Sequence, residues 1–147
     1  MSRSGYSDDL GWSELNLYRA NVDRALAGRR GQAFLREMLA AMDALPEKRL
    51  IAYYFHVKPE DVKEWGPKEC GVCAIATVGL ARGLDMSDLR PETEPYWVAK
   101  RFGIAKPMAA EIEYINDEAN PSPETPEERF RRVRNWVVAQ IESSEES

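Results

Sequence analysis

With 147 residues the chain has the length of one domain and can bury roughly two-thirds of its unfolded surface, so its core needs neither disulfide nor metal. Hydrophobic residues at 44% and charged residues at 31% give an ordinary globular balance, and a net charge of −5 argues against a general nucleic-acid coat. Two cysteines are too few for a secreted disulfide scaffold, and no run approaches the ~18 apolar residues of a membrane span.

Residues 1–11 are polar and read as a loose arm without the apolar core of a signal peptide, which places the protein in a reducing cytosol. Ser13 is a plausible N-cap for a helix from Glu14 to about Ala27, with Leu15, Tyr18, Val22, Ala25 and Leu26 on one face. Gly28-Arg-Arg-Gly31 breaks it. A second helix follows from about Gln32 to Leu45, striped by Phe34, Leu35, Met38, Leu39 and Met42 and stopped by Pro46. The short break between two amphipathic helices predicts an antiparallel pair.

Arg49–Val57 is aromatic and β-branched without helical spacing, and reads as extended, one strand of a small hairpin. Lys58–Glu69 is a charged connection with Pro59, Gly66 and Pro67. From Val72 to Ala81 the chain carries no charge, so residues 72–82 read as a central helix buried on every side and ended by Arg82 and Gly83. A fourth helix is expected over about 94–102, broken by Gly103, and a fifth over 106–117 with Pro107 in its first turn. Thr125-Pro-Glu-Glu128 has the form of a capping box and opens a last helix to about Glu142, with Phe130, Val133, Val137 and Ile141 inward. Residues 143–147 form an acidic tail. The fold expected is mostly α: a single compact domain over 12–142, of about six helices around the 72–82 helix, with a small β hairpin near 49–57.

Four constellations carry chemistry. Cys70-x-x-Cys73 before a helix has the form of a redox dithiol or half a zinc site. His56 is the only histidine, no strand–helix–strand pattern surrounds the pair, and packing is the simpler role for Cys73. A cysteine with His56 as base is the thiol-hydrolase pairing, but sequence does not show that they meet. Residues 98–112 have helix-turn-helix spacing through Ala99, Gly103, Ile104, Ala109 and Ile112. That would put Lys100, Arg101 and Lys106 toward phosphate, against the repulsion of Glu111, Glu113, Asp117 and Glu118. Finally, Arg129, Arg131, Arg132 and Arg134 precede Trp136, and an exposed arginine–tryptophan pair is the usual material of binding hot spots.

The start Met-Ser-Arg-Ser-Gly-Tyr-Ser-Asp-Asp, Arg30-Gly-Gln-Ala-Phe-Leu-Arg-Glu-Met-Leu39, Leu45-Pro-Glu-Lys-Arg-Leu-Ile51, Cys73-Ala, Ala81-Arg-Gly-Leu-Asp85, Phe102-Gly-Ile-Ala105, Glu111-Ile-Glu-Tyr-Ile-Asn-Asp-Glu118 and Glu124-Thr-Pro-Glu-Glu-Arg-Phe130 together resemble a family of small bacteriophage and prophage proteins with no established activity. The segment between Ile51 and Cys70 is longer and more aromatic than that family's pattern. The resemblance implies a phage accessory protein in the host bacterial cytoplasm. The expected mode of action is protein binding through Arg129, Arg131, Arg132, Arg134 and Trp136, with inhibition of a host enzyme or a defence system as its sharpest version. No catalysis, cofactor, metal or membrane contact is expected. The alternatives are a helix-turn-helix nucleic-acid binder using Lys100, Arg101 and Lys106 and, more distantly, a cysteine-dependent enzyme.

Overall fold

The computed structural model describes Arg3 and residues 12–146, with side chains for Arg3 and 17–143. Among the described residues the chain forms six α-helices and one two-stranded sheet. They are α1 (Trp12–Ala27), α2 (Arg29–Asp43), β1 (His56–Val57), β2 (Gly71–Val72), α3 (Ala74–Arg82), α4 (Pro95–Phe102), α5 (Lys106–Asp117) and α6 (Pro126–Glu146); a 3-10 turn, Pro59–Asp61, lies between the strands. The mostly α, single-domain reading holds. Apart from Arg3, the arm expected over 1–11 falls outside the described residues.

The boundaries differ from the sequence reading in ways local chemistry explains. Helix α1 starts at Trp12, so Ser13 lies inside it and does not cap it. Only Gly28 breaks the α1–α2 run; Arg29, Arg30 and Gly31 already belong to α2. Gly31 is there for space: a Cβ on it would lie 1.9 Å from the Ala25 carbonyl oxygen. Of the extended 49–57 segment only His56–Val57 pairs, antiparallel to Gly71–Val72, with His56 opposite Val72 and Val57 opposite Gly71. Helix α6 runs on to Glu146 through most of the expected tail.

Helix α3 is buried from Ala74 to Gly79, but its last turn is not, since Leu80, Ala81 and Arg82 are exposed. Gly83, at φ 70°, ends it in the left-handed conformation, and the Leu84 N–H reaches back to the Gly79 carbonyl at 2.9 Å. The Gly79 position is also crowded, since a Cβ there would meet Met86 Sδ at 2.2 Å. Helix α5 shares the centre. It packs against α1, α3, α4 and α6, and it buries Met108, Ala109, Ala110, Glu111, Ile112, Glu113, Ile115 and Asn116. Helix α2 closes the other side of α3 through Phe34, Leu35, Met38 and Met42.

The capping box at α6 is complete. The Thr125 N–H donates to Glu128 Oε1 at 2.9 Å, and the Glu128 N–H donates to Thr125 Oγ1 at 3.1 Å. Two substitutions test these local readings by denaturant unfolding. Thr125→Ala frees the Glu128 N–H and is expected to cost ~0.5–2 kcal/mol. Gly31→Ala drives a methyl into the α1 backbone and is expected to cost at least ~1–3 kcal/mol, although alanine is the better helix former. A stable Gly31→Ala would show that α1 and α2 are not held at this distance.

Candidate functional site

The polar chemistry of the interior collects at the last turn of α5. Asn116, almost fully buried, accepts the Ala74 N–H at 3.0 Å through Oδ1, and so satisfies a free donor at the start of α3. Its Nδ2 donates to the Ile51 carbonyl at 2.9 Å and to Asp117 Oδ1 at 2.8 Å. Asp117 then takes the Arg3 guanidinium in a bidentate pair, Nε to Oδ2 at 2.7 Å and Nη2 to Oδ1 at 2.9 Å. The same Oδ1 accepts the Tyr53 N–H at 3.0 Å. Tyr53 is the one non-glycine residue at positive φ, 71°, among those described, a conformation that costs roughly 1–2 kcal/mol. The Arg3 guanidinium also lies over the Phe55 ring, 4.7 Å from its centroid, and its Nη1 is 3.8 Å from Cys73 Sγ.

Glu113 sits one turn back on α5 at 1% exposure, and neither of its carboxyl oxygens has a hydrogen-bond partner among the described residues. Burial raises its pKa to about 8; the charge of Arg3 works against the rise and that of Asp117 adds to it. Cys73 is a buried free thiol, also pushed up by burial, the opposite of a reactive thiolate.

The residues singled out in the sequence are spread over several places. The α6 arginines are largely committed within the chain. Arg129 Nη1 donates to the Leu50 carbonyl at 2.9 Å. Arg132 pairs with both oxygens of Glu124, at 3.0 and 2.7 Å, and donates to the carbonyls of Ile115 and Asn116 at 2.6 and 3.2 Å, satisfying the open end of α5. Arg134 makes a bidentate pair with Asp43 of α2. Trp136 is half-buried against the core, and Arg131 is exposed. His56 and Cys70 line one hollow of about 250 Å³ walled by Leu45, Val57, Val72 and Leu80, and no hydrogen bond joins them. Among the described residues no group of three or more His, Cys, Asp or Glu is placed to hold a metal.

The turn expected between the two helices is present: Gly103, at φ 74°, ends α4, and α5 begins three residues later at Lys106. The second helix, however, is buried between four others. Glu111 and Glu113 are interior groups, and Glu111 is paired with Arg19 of α1 at 2.7 and 3.1 Å. Helix α5 therefore has no free face to enter a DNA groove; Lys106 is exposed only at its start.

A different surface stands out on α4. Tyr96 and Trp97 are 45% and 58% exposed, with ring centroids 5.0 Å apart in an edge-to-face pair. Lys100 Nζ lies 5.4 Å from the Tyr96 centroid and 5.8 Å from that of Trp97. Beside them a hollow of about 450 Å³ is lined by Asp88, Leu89, Thr93, Trp97, Lys100 and Arg101. Arg101 is held by Asp88 and by the Asp85 carbonyl. The α4 apolar residues Val98, Ala99 and Phe102 face inward, so the two rings are not core residues that have slipped out. The sequence reading found Lys100 and Arg101 here but missed the rings, whose signal was their position off that stripe. A further aromatic, Trp65, is 93% exposed on the β1–β2 connection.

Comparison with family models, with curated protein sequences and with solved structures finds no match to this chain.

The buried carboxyl gives a pH signature. The folded state holds the Glu113 proton up to about pH 8, whereas an unfolded glutamic acid loses it near 4.5. Its contribution to stability is therefore lost as pH rises between those values. Glu37, Asp43 and Glu124, held down by Arg82, Arg134 and Arg132, act oppositely and lose their contribution in acid. Glu113→Gln is expected to flatten the decline in stability between pH 5 and 8, measured as denaturation midpoints, and to leave the acid limb in place. An unchanged alkaline limb would show that Glu113 is ionised in the fold.

Proposed function

We propose that this protein acts by binding another protein, and that the Tyr96–Trp97–Lys100 face of α4 is the anchor of that contact. The supporting observation is the exposed edge-to-face ring pair next to a hollow large enough to receive a partner side chain. Tryptophan and tyrosine are enriched where binding energy concentrates, because each buries a large area at little entropic cost. Lys100 next to the rings favours an acidic edge on the partner, and the Arg101–Asp88 pair keeps the hollow's rim fixed. No helix among the described residues is long and apolar enough to cross a membrane. The resemblance to phage proteins directs the search to a bacterial host protein, with an enzyme or a defence complex as the target and the host cytoplasm as the place.

The experiment is affinity capture from bacterial lysate with the full chain, followed by binding measurements on the purified partner. Trp97→Ala is expected to weaken binding at least ~30-fold, the equivalent of a hot spot of about 2 kcal/mol. Its effect on stability should stay within ~0.5 kcal/mol, since the ring is on the surface. A partner whose affinity survives both Trp97→Ala and Lys100→Glu overturns the assignment of this face. Tight binding of single-stranded oligonucleotides through the same rings, falling steeply with salt, would replace protein binding with base stacking.

A further inference from the structure

The pocket around Arg3 has the features of a recognition site for a cation. Three groups from separate parts of the chain converge on one guanidinium: the carboxylate of Asp117 from α5, through both oxygens, the face of Phe55 from the segment before β1, and the Cys73 sulfur at the start of α3. A planar carboxylate matched to a planar fork, under an aromatic face, distinguishes a guanidinium from an ammonium. The Arg3–Asp117 pair is almost fully buried on both sides. Glu113, one turn back on α5, is buried without a hydrogen-bond donor and keeps its proton, so the negative charge that meets the guanidinium is that of Asp117. Tyr53, at positive φ, donates its N–H to the same Asp117 oxygen, so a strained residue helps fix the carboxylate. Hydrophobic packing needs none of this, and a buried ion pair is weak evidence for stability on its own.

We infer that Asp117, Phe55 and Cys73 form a guanidinium-binding pocket, with Arg3 as its built-in occupant and an arginine side chain or free guanidinium compound able to take its place. The site is separate from the α4 face and does not depend on the function proposed for it.

The test uses the full chain with Arg3→Ala and methylguanidinium as the probe. Urea is the neutral control of similar shape, and methylammonium is the cation without a fork. Arg3→Ala is expected to lower Tm, and millimolar methylguanidinium to restore most of that loss saturably, while neither control does so. If Arg3→Ala does not fold, refolding with each probe gives the same comparison: recovery with methylguanidinium alone supports the pocket. The effect should vanish in Arg3→Ala combined with Asp117→Asn. Wild-type protein separates the two sources of the cation. A saturable shift with methylguanidinium that Asp117→Asn abolishes means that an outside guanidinium displaces Arg3; no shift means that Arg3 is not displaced and overturns the exchange. No recovery of Arg3→Ala by methylguanidinium, equal recovery by methylammonium, or recovery that persists without the Asp117 carboxylate overturns the proposal.

Discussion

The last turn of α5 is the constraint on which the other elements depend. Helix ends leave carbonyls and N–H groups without partners, and three such ends or edges meet here. Asn116 settles two of them at once, the Ala74 donor that opens α3 and the Ile51 carbonyl of the extended segment. Arg132 of α6 covers the carbonyls of Ile115 and Asn116, and Asp117 takes Arg3 and the strained Tyr53. Apolar burial brings the helices together, but it is non-directional. The polar turn fixes how α3, α6 and the 49–57 segment sit on α5, since a misplaced element would leave a buried donor or acceptor unmet.

This arrangement decides what the surface can do. Because α5 is enclosed, the α4–turn–α5 segment offers no helix free to read DNA. Because Arg132 and Arg134 are tied to Glu124 and Asp43, the basic run of α6 contributes less free charge than its composition suggests. Among the described residues the aromatic side chains that remain outward are Tyr53, Trp65 and the α4 pair.

Much of the fold was legible because its signals are local. Helix α5 occurs over the residues its periodicity and Pro107 indicate, Gly83 and Gly103 end their helices as left-handed residues, and the Thr125–Glu128 box closes as its spacing requires. The interior cluster was not legible. A charged residue in a sequence reads as exposed. Glu111 and Asp117 reverse that because Arg19 and Arg3 arrive from about a hundred positions away, and Glu113 because burial keeps it protonated. The same limit applies to the α6 arginines: their i, i+3 spacing is visible, but Asp43 and the end of α5 as partners are not. Tyr96 and Trp97 could have been noticed as rings off the Val98–Ala99–Phe102 stripe, whereas the hollow beside them depends on the loop at 88–93.

The most direct test of the central role of this turn is denaturant unfolding of Asn116→Ala, combined with hydrogen exchange at the Ala74 amide. Removing one side chain orphans a buried N–H and a buried carbonyl, so a loss of ~2–6 kcal/mol is expected, at about 1–3 for each group, with faster exchange at the start of α3. A loss below ~1 kcal/mol with the Ala74 amide still protected would show that the helices hold their places without this turn.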